Sequence, residues 1–169
     1  STAGGDDSVT AVAPQTPEFK PPWWLRGPHA QTIGSALVSR RQPQHTAVLR
    51  RVDLEDGDAL AVHDDTPTGW QPGGRVAILS HGLADDHRSP LLVRLTAKLM
   101  RRGVRVFRWD MRCCGAGLAL ARRPYHAGCS ADLAAVVGRV VAWCREGSAA
   151  DAADPDLSLF GVSLSGNVL

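Results

Sequence analysis

The 169-residue sequence lacks most of the features that would assign it to a protein class at first sight. It has two lysines, Lys20 and Lys98, and a net charge of +2, so it shows no strong electrostatic attraction to nucleic acid. No apolar run approaches the ~20 residues of a membrane-spanning helix. Its first residues contain neither the basic nor the apolar region of a secretory signal. These absences favour a cytoplasmic protein that binds no nucleic acid.

Cysteine pairs with the spacing of metal or redox sites are also missing. Cys113 and Cys114 are adjacent, and none of the four cysteines forms a Cys-x-x-Cys pair, so a disulfide framework is not expected. A metal or redox module built on Cys113, Cys114, His126 and Cys129 is an alternative. Adjacent cysteines, however, lack the two-residue gap of common zinc sites. We therefore expect no metal and no cofactor.

The composition, with 44% hydrophobic and 21% charged residues, is typical of a globular protein that can bury a core. Residues 1–17 are small, polar and proline-containing, which predicts a disordered N-terminal arm. Residues 18–169 are predicted to form a partial domain. Its first segment contains the adjacent Trp23 and Trp24, whose size favours burial against that domain.

Strand-like and helix-like patterns alternate along the remainder of the chain. Residues 46–54 and 58–63 flank the turn signal Glu55-Asp56-Gly57 and predict an antiparallel hairpin. Ser89-Pro90 is typical of a helix start. The predicted strands after the hairpin are 75–80, 104–109 and 157–162, and the predicted helices begin at Ser89-Pro90 and at Ser130. Alternating strands and helices indicate βαβ units with a parallel sheet, so the predicted fold class is α/β.

The last predicted strand runs into Gly161-Val-Ser-Leu-Ser-Gly-Asn167. A strand, a Gly-x-Ser sequence, small residues and a helix start are what a nucleophile elbow requires. Ser163 would sit on a sharp turn with its hydroxyl above the sheet, and Gly161 would allow close packing behind it. The usual second glycine of the elbow is replaced by Ser165.

A second motif, Ser80-His81-Gly82-Leu83, follows the strand at residues 75–80. Hydrolysis of an ester needs two backbone N–H groups that stabilise the oxyanion of the tetrahedral intermediate. The positions of Leu83 and Leu164 match those two donors. His81 is interpreted as a residue that shapes the loop through hydrogen bonds. Together, the two motifs, on the expected strands and in the expected order, predict a serine hydrolase.

Five blocks of this sequence resemble those of the YheT-like α/β-hydrolases, whose eukaryotic relatives are membrane-linked lipases. The resemblance implies an α/β-hydrolase fold, Ser163 as nucleophile, and hydrolysis of small acyl esters or acylglycerols without a cofactor. The resemblance leaves a peripheral contact with a membrane or lipid as an undecided alternative. The blocks are residues 19–33, residues 81–83 with 89–90, residues 112–115, residues 125–128 with 132–133, and residues 161–167.

Three residues depart from the family pattern where it uses glycine. They are Ser165 in the elbow, Cys113 in the Arg-Gly-Cys-Gly block, and Asp85 two residues after Leu83. Glycine at such positions allows a positive φ or a close backbone approach. Asp85 also places a carboxylate near the expected oxyanion, which opposes catalysis. The departures predict a weakened site.

The catalytic acid and histidine of this fold normally follow the nucleophile in the chain. The six residues after Ser163 contain neither, and all six histidines precede it. A triad rearranged around His87 or His126 is the less favoured alternative, and Asp110 is expected to cap the turn that follows it. We therefore expect a truncated domain that is inactive alone and lacks its C-terminal half. The alternative is a non-catalytic half-domain that binds a partner or lipid.

Overall fold

The structure is a computed structural model that describes residues 18, 20–38, 47–148 and 153–169. It divides into two units, Ser1–Val38 and Ser39–Leu169. The first unit contains a 3-10 turn, Trp23–Leu25, and the helix α1, Pro28–Val38, which is absent from the predicted elements. The predicted arm, residues 1–17, lies outside the described residues. The docking of Trp23 and Trp24 on the second unit stays a prediction.

The second unit contains five strands and two helices close to their predicted positions. In the described ranges, no helix combines the length and apolar character that crossing a membrane would need. The elements are β1 Val48–Asp53, β2 Ala59–Asp65, β3 Arg75–Ser80, α2 Pro90–Met100, β4 Arg105–Asp110, α3 Ser130–Arg145 and β5 Asp156–Gly161.

The five strands form one sheet in the order β1-β2-β4-β3-β5. The predicted hairpin is confirmed, since β1 and β2 pair antiparallel around the turn at residues 54–58. The predicted parallel arrangement holds for β4, β3 and β5, with Ser80 opposite both Trp109 and Gly161. The hairpin joins that parallel part through an antiparallel pairing of β2 with β4, so the sheet is mixed.

Two apolar layers cover the faces of the central strands. Val76 and Ile78 of β3 pack in one layer with Val136 of α3. Ala77 and Leu79 point the other way and belong to the layer that contains residues of α2. Alternate residues of a strand face opposite sides of a sheet, so a strand covered on both faces is apolar throughout. This arrangement explains why β3 reads as a continuous apolar run.

The β2–β4 pairing buries charges that the sequence patterns placed outside a strand. β2 was predicted to end at His63 but continues through Asp64 and Asp65. Arg105 Nη2 of β4 lies 2.6 Å from Asp64 Oδ2, and Arg108 Nη2 lies 2.8 Å from Asp65 Oδ2. Burial alone raises the pKa of Asp64, but the hydrogen bond and charge of Arg105, together with hydrogen bonds from Thr66 and Arg50, outweigh burial and lower that pKa. These ion pairs allow the carboxylates to remain charged inside the sheet.

Candidate active site

Ser163 lies on a strained turn directly after β5. The strand ends at Gly161, and a 3-10 turn spans Ser163–Asn167. Ser163 has a φ of 55°, in the left-handed region that residues other than glycine seldom adopt. Such a conformation costs about 1–3 kcal/mol and is often found at functional sites. The residue is solvent-exposed, so its hydroxyl is open to an incoming molecule.

Gly161 is required by the close packing behind this turn. A Cβ atom at Gly161 would lie 2.7 Å from the carbonyl oxygen of Ser165 and 2.8 Å from Leu169 Cδ1. The first of these neighbours is backbone and cannot rotate away. A larger residue at position 161 would therefore force apart the strand and the turn that carries Ser163.

The His81-Gly82-Leu83 loop lies against the turn of Ser163. A Cβ atom at Gly82 would be 3.6 Å from Ser163 Cβ and 3.5 Å from the carbonyl oxygen of Val162. Leu83 follows immediately and is exposed, and Leu164 is half-buried on the other side of Ser163. The two residues predicted to donate oxyanion hydrogen bonds therefore each follow, in the chain, one member of the Gly82–Ser163 contact. Their catalytic roles stay predictions.

His81 holds this loop in place rather than facing the serine. The ring is fully buried, its Nδ1–H donates to the carbonyl oxygen of Gly82 at 2.8 Å, and its Nε2 accepts the N–H of Met111 at 3.1 Å. Both ring nitrogens are thus occupied, which leaves no free lone pair for a proton from Ser163. This geometry agrees with the structural role interpreted for His81.

Tyr125 supports the same loop from the opposite side. Its hydroxyl oxygen accepts the N–H of Ala84 at 2.9 Å, and its ring meets the edge of His81 at 6.4 Å between ring centroids. Ala84, with a φ of 54°, is the residue with a positive φ in this loop. The positive φ of this loop therefore falls on Ala84 and not on Asp85. Asp85 Oδ1 instead accepts the N–H of Asp86, at 3.0 Å.

The other two departures from the glycine pattern have different outcomes. Cys113 has a φ of 58°, as expected of a position that favours glycine. Ser165 lacks a positive φ but lies at a close backbone approach, since a Cβ at Gly161 would be 2.7 Å from its carbonyl oxygen. Its buried Oγ accepts the N–H of Val162 at 2.6 Å and lies 3.1 Å from the carbonyl oxygen of Ser80. The hydroxyl of Ser165 thereby links the elbow to β3.

Asp110, the last residue of β4, binds the loop above it. Its Oδ2 accepts the N–H of Ala116 at 2.9 Å, as a residue that caps the following turn would. It also lies 2.8 Å from His87 Nδ1 and 3.2 Å from His63 Nε2. Burial by itself raises the pKa of Asp110, but the hydrogen bonds with the two histidines outweigh it and hold that pKa well below its ordinary value.

The sheet order separates this group from Ser163. Asp110 ends β4 and Ser163 follows β5, with β3 between them, so two strand spacings of about 4.8 Å each lie between the residues. His87 stacks on His63 of β2, on the far side of β4, with ring centroids 3.5 Å apart. The ring of His87 is bonded to Asp110, and no hydrogen bond between His87 and Ser163 is found among the described residues.

His126 is an exposed residue of the segment between β4 and α3. It lines a cavity with Asp56, in the β1–β2 turn, and with Arg112. Its Nδ1 accepts the N–H of Gly128 at 3.1 Å, and its own N–H donates to Cys129 Sγ at 3.3 Å. The four histidines that the structure describes in the second unit therefore have other neighbours than Ser163.

Sequence reasoning did not bring together His63, His87 and Asp110. Each of these residues offers one possible metal-ligand atom, and the three atoms lie within 4.8 Å of one another. Among the described residues, this is the group whose spacing could hold a metal ion. The cysteine cluster weighed from sequence is not such a group. The Cys113 thiol instead donates to the carbonyl oxygens of Ala121 and Arg123. The sequence signal that could have indicated this grouping was the position of Asp110 at the end of a strand, because the loops after neighbouring strands meet at that edge of the sheet.

No family model and no curated protein matches the chain. Solved structures, in contrast, do match this chain. An α/β serine hydrolase homologue from Coxiella burnetii aligns with a TM-score of 0.57 and 17% identity, over 76% of this chain and 57% of that one. A lidless α/β serine hydrolase from Xanthomonas campestris aligns with a TM-score of 0.56 and 23% identity, over 75% of this chain and 54% of the hydrolase. A thermostable carboxylesterase cloned from a metagenomic library aligns with a TM-score of 0.56 and 14% identity. That alignment covers 82% of this chain and 44% of the carboxylesterase.

These matches confirm the predicted α/β-hydrolase fold. At such identities they show the fold alone, and the YheT-like resemblance remains a sequence resemblance. The chain spans about half the length of the solved structures that it matches.

Proposed function

We propose that this chain forms the nucleophile-bearing part of a serine hydrolase that acts on carboxylic esters. The observation that carries the proposal is the exposed Ser163 with a φ of 55°, placed after a parallel strand and against Gly82. A strained strand-to-helix turn of this kind is the device by which α/β-hydrolases present a nucleophile. The solved structures of the same fold that include a carboxylesterase support this reaction class.

In the proposed reaction, Ser163 Oγ attacks the acyl carbonyl carbon while a general base takes the hydroxyl proton. The N–H groups of Leu83 and Leu164 donate to the oxyanion that forms. The intermediate collapses, and the base gives its proton to the departing alkoxide, which leaves as the alcohol. Water then attacks the acyl group on Ser163, the base takes a proton from that water and returns it to Ser163 Oγ, and the carboxylic acid is released. The support for these donors is the closeness of Gly82 to Ser163, since Leu83 follows Gly82 in the chain and Leu164 follows Ser163.

The general base and its acid are proposed to come from polypeptide outside the described residues. His81 has both ring nitrogens occupied, and His63 and His87 are bound to Asp110 about two strand spacings away. The matched hydrolases extend well beyond the aligned part. The missing groups would lie above β5, on the open side of Ser163.

A second candidate function is a non-catalytic half-domain that binds another polypeptide. The observation that favours it is the exposure of Leu159 and Phe160 on β5, which pairs with β3 on one side. An apolar strand edge can accept a further strand. The two candidates differ in whether the added polypeptide supplies a histidine to Ser163.

The test begins with the reading frame beyond the codon for Leu169. The longest encoded product and the 169-residue chain are each assayed with p-nitrophenyl butyrate, with Ser163→Ala in both. We expect turnover by a longer product that carries an acid and a histidine, and a loss of at least ~10³-fold in kcat with Ser163→Ala. The 169-residue chain should equal its own Ser163→Ala variant.

Three results would overturn the proposal or redirect it. Turnover by the longer product that survives Ser163→Ala would reject Ser163 as the nucleophile. A stop codon followed by unrelated sequence would favour the non-catalytic half-domain. Turnover by the 169-residue chain that both Ser163→Ala and His87→Gln abolish would show that the base is already present.

A further inference from the structure

The hydroxyl of Ser165 lies inside the turn that presents Ser163, at the position where the elbow pattern has glycine. The residue is fully buried. Its Oγ accepts the N–H of Val162 at 2.6 Å. The one hydroxyl proton can be donated to the carbonyl oxygen of Val162, at 2.9 Å, or to that of Ser80, at 3.1 Å. A glycine at this position would make none of these side-chain bonds.

Ser165 and Val162 are joined by two reciprocal hydrogen bonds. The backbone N–H of Ser165 donates to the carbonyl oxygen of Val162 at 3.2 Å, while the N–H of Val162 donates to Ser165 Oγ. The second bond is the half of a capping box in which a side chain of the first turn reaches back to the backbone before it. Ser163 and Leu164 lie between the two bonded residues, so the bonds close a ring that contains the strained Ser163.

The φ of 55° at Ser163 needs such support from its neighbours. A strained backbone conformation persists only where the surrounding structure enforces it. Ser163 is itself solvent-exposed, whereas Ser165 is the buried residue of the 3-10 turn Ser163–Asn167. The rigid point from which Ser163 can be held is therefore Ser165.

Ser165 is anchored to two other parts of the domain. Its carbonyl oxygen accepts the N–H groups of Val168 and Leu169, at 3.1 and 3.2 Å, and Val168 is buried in the apolar layer that contains residues of α3. Its hydroxyl reaches the carbonyl oxygen of Ser80, the last residue of β3, after which the loop of Leu83 begins. One residue thus connects the turn of Ser163 with the core and with the start of that loop.

We propose that Ser165 is a positioning residue, whose hydroxyl holds Ser163 in its strained conformation and at a fixed place relative to the Leu83 loop. The inference rests on the proposed role of Ser163 as nucleophile. Ser165 acts through backbone atoms of Val162 and Ser80, so it need not touch the substrate. Misplacing a reacting atom by about 1 Å can cost about 10²-fold in rate. The residue that replaces the usual glycine therefore stabilises the geometry of the site instead of weakening it.

Amide hydrogen exchange in the 169-residue chain, followed by NMR, tests the hydrogen bond itself. Ser165→Ala removes the hydroxyl and keeps the Cβ atom, so exchange of the Val162 N–H should become at least about tenfold faster. Ser158→Ala, which changes an exposed serine of β5, is the matched control and should leave that rate unchanged. Exchange at Val162 that Ser165→Ala leaves unchanged would overturn the proposal.

The effect on Ser163 is tested by fluorophosphonate labelling of the longest product of the reading frame. We expect Ser165→Ala and Ser165→Gly to lower the rate constant for labelling Ser163 by at least about tenfold, with the labelled fraction at the end point unchanged. A residue that only stabilised the fold would lower the labelled fraction and leave the rate constant as it is. Ser158→Ala should be labelled as fast as the wild type.

The outcomes separate this inference from the proposed function. A wild-type product that is not labelled at Ser163 would reject the nucleophile and, with it, the role of Ser165. Labelling at the wild-type rate in both Ser165 variants would reject the positioning role alone, and so would a labelled fraction that falls while the rate constant is kept. If Ser165→Ala does not fold, Ser165→Gly, which carries the usual glycine of the elbow, gives the same comparison.

Discussion

The β2–β4 pair and β5 belong to one sheet but distribute charged and apolar side chains in opposite ways. Every residue of β2 and of β4 is buried, including Asp64 and Arg105. No residue of β5 is buried, and its exposed side chains include Leu159 and Phe160. The β2–β4 pair thus buries charges among its apolar residues, whereas β5 exposes apolar residues, so the two regions depart from the usual rule in different ways.

The difference shows that pairing, rather than polarity, decides what this sheet can bury. Asp64 accepts hydrogen bonds from two arginines, Arg50 and Arg105, so its charge is compensated within the sheet. β5 contacts one neighbouring strand, β3, and its apolar side chains have no second layer over them in the described part of the chain. The predictions below test the two regions separately.

The largest expected effect is the loss of a buried charge partner in the β2–β4 pair. Asp64→Ala removes the carboxylate that compensates Arg105 and should lower the free energy of unfolding by about 3–5 kcal/mol. Asp53→Ala is the control, because Asp53 pairs with Arg51 on the exposed face of β1 and such pairs contribute about 0–1 kcal/mol. Urea unfolding followed by circular dichroism measures both. Equal losses in the two variants would contradict the comparison.

The second largest effect is expected from acid, which should lower the free energy of unfolding through the carboxylates of β2 and β4. The pKa values of Asp64 and Asp110 are lowered in the folded protein, so the unfolded chain takes up protons first as pH falls. Their stabilisation is fully present above the ordinary carboxyl pKa of about 4 and is lost as pH falls towards the lowered values. We expect the free energy of unfolding to fall steadily below about pH 4. A profile that stays flat between about pH 4 and 2 would contradict this account.

A smaller loss is expected at the end of β5. Gly161→Ala places a Cβ atom 2.7 Å from the backbone oxygen of Ser165 and should lower the free energy of unfolding by about 1–3 kcal/mol. Gly166→Ala is the matched control in the same turn, since a Cβ there meets nothing within 4 Å. Thermal unfolding of the two variants compares them. A Gly161→Ala protein as stable as Gly166→Ala would show that the turn packs loosely.

The smallest effect on stability is expected on the exposed face of β5. Phe160→Lys should change the free energy of unfolding by no more than about 0.5 kcal/mol, because the side chain is 43% exposed. It should nevertheless reduce self-association, since a charge on a strand edge opposes edge-to-edge pairing. Sedimentation velocity measures the association. A large loss of stability without a change in association would place Phe160 in the core.

Much of the fold was predictable because its signals are local. The strand at residues 75–80 was recognised from a short apolar run, and the helix that begins at Pro90 from its Ser-Pro start. Ser163 was located from a five-residue pattern at a strand end, and its φ of 55° fits that interpretation. The resemblance to a known family added the order of these motifs.

The features that were missed depend on contacts between distant parts of the chain. β2 was predicted two residues too short because Asp64 and Asp65 are polar, and their arginine partners on β4 are more than 40 residues away. Asp110 bonds to His87, which is 23 positions away in the chain, and to His63, which is 47 positions away. Neither pairing leaves a periodic signal. The helix α1 was missed in a segment interpreted from its tryptophans alone.

The central claim, that Ser163 is the nucleophile, is tested most directly by labelling with a fluorophosphonate. The reagent is applied to the longest product of the reading frame, and the modified peptide is identified by mass spectrometry. We predict one adduct on Ser163, lost in Ser163→Ala and kept in Ser158→Ala, which changes an exposed serine of β5. An adduct on another residue, or one that persists in Ser163→Ala, would contradict the account.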